Sequence, residues 1–411
     1  MVRHYPMPAR YLVNLALTVM LGVLLMVFNQ NGIISNYWEG VLILVGINIL
    51  LATSLNIPVG YLGQLPLGHA GFMAVGGYAA SIFLKATPLT KLLRAHDPTA
   101  VVWIVAGLLL AAAIAGLVGF LIGIPALRLR GDYLAIITLG FGEIIRIFIT
   151  NIDDTLGIKL TYGAAGLKRI PKFTGLLLVF VVLAVCLFLI YVLMKSRHGR
   201  AILSIRENEI AAESIGINTT FYKTFAFAFS AAIAGVAGAL YAGYLGSLYP
   251  ATFTFMKSIE ILVMVVLGGM GSMLGSILSA SIYTIAQELL RSFNSYRMVA
   301  FATLLILMML FRPSGLLGDY DFSLSRLVER FMAKRRGELP PSAAMDIAGI
   351  VPEAATSSRS HGTVESPRVS TKRDVSSMIA GLRGRDATPD SMKNERALLS
   401  DDPGDRQGGE E

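Results

Sequence analysis

Ionisable side chains are scarce in the apolar parts of this sequence, and the few present define the chemistry open to it. Glu143 and Arg146, in YLAIITLGFGEIIRIF, are i, i+3 neighbours able to pair on one helix. Glu260 opens the apolar run SIEILVMVVLGG, and Glu288 lies near the end of the next one. His69 stands close to Gln64 in the glycine-rich GYLGQLPLGHAGF. Charges in lipid are costly, so such groups face a bundle interior or a wet cavity. There they can hold helices in register, relay protons, or line a path for a polar solute. The plainer readings are a structural ion pair for Glu143–Arg146 and a satisfied packing histidine for His69. Other chemistry is missing from the sequence. No Gly-Lys-Ser/Thr occurs, so the phosphate-cradling loop of nucleotide hydrolases is absent. The five histidines (His4, His69, His96, His198, His361) are scattered, and the lone Cys186 sits in an apolar run. That excludes a clustered thiolate or imidazole metal site and a disulfide framework.

The elements that must position these groups are long apolar helices. Of 411 residues, 54% are hydrophobic and only 15% charged, and the mean hydropathy is +0.64. A soluble domain carries nearer a quarter charged residues, so the chain reads as an all-α, polytopic transmembrane bundle. Spanning needs about 20 apolar residues. Candidate spans are 11–29, 38–57, 67–86, 101–123, 133–150, 174–194, 221–246, 258–272, 274–290 and 297–311, about ten in all. The start imitates a signal peptide, but its apolar run Tyr11–Phe28 lacks a small-residue cleavage site and reads as a retained first span. An even count puts Arg3, Arg10, Arg128, Arg130, Lys195–Arg206 and Lys334–Arg336 on one, cytoplasmic side. Lys91, Arg94, Lys168, Arg169 and Lys172 then fall outside.

Charge is divided along the chain. Residues 1–336 hold 26 Lys/Arg against 14 Asp/Glu, net +12, and residues 337–411 hold 9 against 13, net −4. The basic excess belongs to the membrane part (residues 1–320) and its anchoring, with no sign of nucleic-acid binding. Leu324, Leu327, Val328 and Phe331 are interleaved with basic residues, which suits a juxtamembrane helix at 321–336 lying on an anionic leaflet. Residues 337–411 are rich in Ser, Pro, Gly and mixed charge and read as a disordered cytoplasmic tail.

Two further features stand out. Gly199–Asn218 is a polar island between apolar runs. Read as one helix, it places Arg206, Glu209 and Glu213 on one face and Ala211, Ala212 and Ile215 on another, with Gly216 as a left-handed stop. The other feature is a pair of glycine-broken stretches. Gly60–Ser81 is the first; Gly243–Pro250 together with Gly268–Ser281 forms the second. Gly-Tyr-Leu-Gly recurs in both, and Gly68, Gly71 and Ser81 have counterparts at Gly268, Gly271 and Ser281. Broken spans at matching places suit a solute path lined by unwound backbone; the alternative is close helix packing through small residues.

Taken in order, GYLGQLPLGHAGFMAVGGYAA, PALRLRGDYLAIITLGFGEIIRI, SRHGRAILSIRENEIAAESIGIN, SIEILVMVVLGGMGSMLGSILSA and the closing RPSGLLG resemble the branched-chain amino-acid ABC importer permeases, LivM-like members in particular, over residues 40–318. The resemblance implies a multi-pass inner-membrane subunit that is not an enzyme and binds no cofactor of its own. Its partners would be a second, homologous (LivH-like) permease, two cytoplasmic ATPases that bind the ATP, and an extracytoplasmic solute-binding protein. It assigns ATPase coupling to 199–218, through Arg206, Glu207, Glu209, Ala211, Ala212, Glu213 and Gly216. The translocation pathway would include Gly63, Gln64, Gly68, His69, Gly268, Gly269 and Gly271, while Glu143, Arg146 and Glu260 hold helices in register. The chain departs from the family at Leu160–Pro171, LTYGAAGLKRIP, where Thr-Gly-Gly and Asn/Asp-Gly-Leu are common. That leaves urea, amides or aromatic acids as alternative substrates. A rival reading is an ion-coupled secondary transporter using Glu143 and His69 as relay groups; a membrane-embedded enzyme is disfavoured by the lack of a catalytic constellation.

Overall fold

With no water to satisfy them, backbone groups at membrane depth must bond within their own segment, and the apolar runs are therefore helices. The computed structural model describes residues 35–293 except 96, 130, 158 and 159, together with residue 303. The expected spans 11–29 and 297–311, the helix at 321–336 and the tail at 337–411 lie outside these residues.

The described helices are α1 (Asn36–Asn56), α2 (His69–Ala86), α3 (Leu89–Ala95), α4 (Thr99–Ala126), α5 (Asp132–Leu156), α6 (Leu176–Lys195), α7 (Arg197–Glu207), α8 (Glu209–Ser214), α9 (Thr219–Leu245), α10 (Phe255–Gly268) and α11 (Met273–Leu289). A π-helical turn, Ile57–Tyr61, extends α1. Six of these segments are long and apolar enough to cross a membrane: Asn36–Tyr61, Thr99–Ala126, Asp132–Thr155, Leu176–Lys195, Thr219–Leu245 and Pro250–Gly268. The only strands among the described residues are β1 (Leu167–Lys168) and β2 (Ser247–Leu248), an antiparallel clip pairing Leu167 with Leu248.

The core is built on small residues. α9 packs against α2 where Gly76 abuts Gly235 and Gly238 abuts Met73 O, so close that a Cβ on either glycine would overlap the facing backbone. α9 also meets α4, through Gly119, Ala111 and Ala115. This is the packing by which helices associate where lipid supplies no hydrophobic drive. α4 and α6 form the rim: between their ends, the exposed large side chains, such as Val102, Leu109, Leu121, Val181, Val185 and Leu189, are apolar and suit lipid.

The bundle has two distinct ends. At one, the α1–α2 turn, the α4–α5 turn, α7–α8 and the α10–α11 turn come together. At the other lie α3 with Lys91, the β clip with Lys168, and the loop after α5. That loop is ordered by Asp153, whose carboxylate accepts from the backbone N–H groups of Leu160, Thr161 and Tyr162 at 2.5–2.9 Å. Among the described residues, Arg128 and Lys195–Arg206 lie at the first end and Lys91, Lys168, Arg169 and Lys172 at the other.

Candidate functional site

The polar island is two helices, and its boundaries follow from its capping residues. Ser196 caps α7, accepting from Gly199 N at 3.3 Å. At Asn208 the backbone turns extended (φ −159°, ψ 108°), and its side chain accepts from Ala211 N at 3.0 Å to start α8. α8 ends as expected at Gly216, where φ is +87°. Ile217 N donates to Ala212 O (3.0 Å) and Gly216 N to Glu213 O (2.9 Å), the two bonds of a Schellman stop. The single helix expected from sequence is therefore corrected. An Asn in mid-helix competes for backbone donors, and here it wins. Arg206 and Glu209 do not share a face.

The charged side chains instead tie the island to its own bundle. Lys223, in the first turns of α9, is buried and donates to Glu209 Oε1 at 2.6 Å. Thr219 donates to Glu213 Oε1 at 2.5 Å. Ile202, Ile205 and Ala212 are buried. The exposed residues of the island include Glu207, Ala211, Glu213 and a pair of large apolar side chains, Ile210 and Ile215, 69% and 76% exposed. Phe221, half exposed at the start of α9, follows them in sequence.

Arg206, also exposed, reaches toward the glycine-broken stretches. Its Nη1 donates to Gly60 O at 2.7 Å. The structure joins the two stretches at this place. Buried Asn56 at the end of α1 accepts from Gly271 N (2.9 Å) through Oδ1 and donates to Ser272 O (3.1 Å) through Nδ2. Gly271 holds φ +90°, open to glycine and costly for other residues, so the α10–α11 turn can lie flat against Gly60. Asn56 and Lys223 were missed from sequence; a lone amide or ammonium in an apolar run was the available signal.

The glycines named for a pathway divide into two kinds. Gly63, Gly269 and Gly271 have positive φ and form the turns. Gly68 abuts Thr138 O of α5, and Gly268 abuts Gly275 of α11, so both are close-packing positions. The numbered correspondence between the stretches is not structural, since Gly71 lies inside α2 while Gly271 is in a turn. Gly-Tyr-Leu-Gly does repeat a role, because its last glycine follows a helix end at both Gly63 (φ +75°) and Gly246 (φ +73°).

His69 is fully enclosed. Ser54 Oγ donates to Leu51 O (2.8 Å) and accepts from His69 Nε2 (2.8 Å), and Phe72 meets the ring edge-on. Beside it, Ala70 N donates to Ser258 Oγ at 3.1 Å, fastening α2 to α10. Gln64 Oε1 is buried with no hydrogen-bond partner among the described residues. Glu143 and Arg146 pair at 2.6 Å, and Glu143 Oε1 also accepts from Phe255 N (3.2 Å), the first amide of α10. Lys257 and Glu260 pair at 2.9 Å on α10. Both pairs keep 20–32% of their side-chain surface open. Glu288 accepts from Tyr37 (2.5 Å) and Arg291 (3.1 Å) at the far end. No group of three or more metal-binding side chains occurs among the described residues.

Comparison with known proteins places this arrangement. A family described as branched-chain amino acid transport system / permease component matches residues 37–311. The high-affinity branched-chain amino acid transport system permease protein LivM of Escherichia coli is 38% identical over 308 residues, 66% of this chain and 68% of that protein. A probable LivM of Methanocaldococcus jannaschii is 26% identical over 325 residues, 68% of this chain and 92% of its own. LivH of Escherichia coli is 36% identical over 138 residues, 33% of this chain and 43% of LivH. No solved structure matches. With the family model covering residues 37–311, two thirds of the chain, this multi-pass membrane protein belongs to the branched-chain amino acid transport system permease component family.

Proposed function

We propose that this chain is one of two permease subunits of an ABC importer for branched-chain amino acids in the bacterial inner membrane. Solute crosses by alternating access, driven by ATP hydrolysis on two separate cytoplasmic subunits after delivery by an extracytoplasmic binding protein. The observation that carries this reading is the island: two short capped helices, pinned to the bundle from within and carrying an exposed apolar edge outside the spans. A monomeric transporter has no use for that edge, whereas a partner with a groove can seat it, in the helix-in-groove manner. Its docking residues are Glu207, Ile210, Ala211, Glu213, Ile215 and Gly216, with Glu209 and Ala212 holding the segment in place and Arg206 turned toward the glycine-broken stretches. Within the membrane, α5 supports the same reading. Glu143 and Arg146 remain partly open in the middle of a span that is otherwise apolar on its outer face, and lipid does not suit them. A second permease, LivH-like, covers this face, and the pathway runs between the subunits past Gly63, Gln64 and the Gly268–Gly271 turn. The ten-span topology with both termini cytoplasmic completes the proposal.

The docking surface is tested by co-expression with the ATPase subunits. Ile210→Asp with Ile215→Asp replaces two apolar contacts worth about 1.5–3 kcal/mol each by charges, so ATPase recovery on the purified permease should fall at least tenfold while membrane insertion is retained. Undiminished co-purification would remove the island from the interface.

A further inference from the structure

We propose that Arg206 is the positioning residue through which movement of the island reaches both glycine-broken stretches at once. The inference rests on the ATP-driven reading above and adds how force enters the pore. α7 and α8 need no help from Arg206 to stay docked, because Ile202, Ile205 and Ala212 are buried and Glu209 and Glu213 hold α9. Arg206 instead spends its donors on a turn. Gly60 closes the π-helical end of α1, where carbonyls lack an intrahelical partner, and a cation at a helix C-terminus also meets the negative end of its dipole. The aliphatic stem passes the same turn at Gly63, where an added Cβ would lie 3.2 Å from Arg206 Cγ. On its other side, a Cβ on Gly271 would lie 3.1 Å from Nη1.

One side chain therefore touches the turn of the first stretch and flanks that of the second, and Asn56 makes the two turns move together. Its amide grips Gly271 N and Ser272 O, so the α10–α11 turn cannot leave the α1 end without breaking two hydrogen bonds, one buried and one partly buried. A rigid-body shift of α7 pulls the Gly60–Gly63 turn through the guanidinium, and Asn56 carries the other turn along. A planar guanidinium on a carbonyl is a directional, charge-assisted contact, suited to transmitting displacement.

The test uses the complete transporter, with both permeases, the ATPases and the binding protein, in proteoliposomes. Arg206→Ala should retain the ATPases at the normal ratio and their basal ATP hydrolysis, yet lose roughly tenfold or more in uptake, the size of an ordinary coupling term. Arg206→Lys, which keeps one donor, should recover part of it. A second variant guards against a folding defect. A Cβ at Gly63 would stand 3.9 Å from Arg206 Cβ, inside the roughly 3.5–4.5 Å span of a disulfide. Because φ +75° at Gly63 strains any side chain, Gly63→Cys alone is the reference: Gly63→Cys with Arg206→Cys, both made with Cys186→Ser, should be inactive when reduced and regain the uptake of Gly63→Cys when oxidised, because the covalent link replaces the lost tie. Near-normal uptake by Arg206→Ala, loss of ATPase binding in that variant, or a formed disulfide without recovery would each overturn the proposal. Failure of the ABC reading is seen separately, as a wild-type complex that holds no ATPase.

Discussion

Glu209→Ala is expected to be the most destabilising single truncation in the polar island, costing up to about 3 kcal/mol, the lower end of the range for a buried ion pair because Glu209 keeps 23% of its side chain exposed. Lys223 keeps only 5% of its side chain exposed, and Glu209 Oε1 stands 2.6 Å from its ammonium. Without the carboxylate, a charge in the first turns of α9 is left with its desolvation uncompensated. The island should then lift from the bundle, visible as a lower thermal midpoint in detergent and as proteolytic cleavage between α7 and α9. The companion variant decides the cause. Lys223→Met removes the stranded charge, so Glu209→Ala with Lys223→Met should return most of the lost stability. A double variant as unstable as Glu209→Ala alone would show that Glu209 acts through something other than Lys223.

Gly60→Ala is expected to abolish transport. A Cβ there would overlap Gly271 N and Asn56 Oδ1 and approach Gly271 Cα to 2.7 Å. None of these atoms is the far end of a flexible side chain; two are backbone and the third belongs to the buried amide that clamps the turns. Overpacking of a filled site costs about 1–3 kcal/mol, and more where backbone must move. The α10–α11 turn would be displaced from α1, and uptake should drop below detection while the protein still reaches the membrane. Gly140→Ala is the matched control, since nothing lies within 4 Å of the added Cβ. Equal uptake in the two variants would contradict the junction described above.

Features set by neighbouring residues were legible in the sequence. Gly216 stops a helix because a left-handed residue is needed there and glycine supplies it at little cost. Glu143 and Arg146 pair because i and i+3 share a helix face. The apolar runs among the described residues are helices near their expected bounds, although the segment at 67–86 is helical only from His69, the one at 133–150 runs on to Leu156, and the one at 258–272 starts earlier, at Phe255. What escaped depended on contacts far apart in the chain. The direction of Arg206 is decided by Gly60, 146 residues away, and the role of Asn56 by Gly271 and Ser272, more than 200 residues on. Asn208 was hidden for a different reason: among polar neighbours an asparagine reads equally as helix interior or as cap, and only the backbone geometry separates them. His69 sat in a setting suggestive of a relay, yet the serine that satisfies it comes from another helix.

The central claim is that this permease moves branched-chain amino acids only when ATP is hydrolysed by partner subunits docked on its island. The most direct measurement is uptake of radiolabelled leucine into proteoliposomes holding the two permeases and the ATPases, with the binding protein outside. Uptake should require ATP on the ATPase side, stop when the ATPases are omitted, and be indifferent to imposed proton or sodium gradients. Leucine uptake that persists without the ATPases and follows an ion gradient would contradict it.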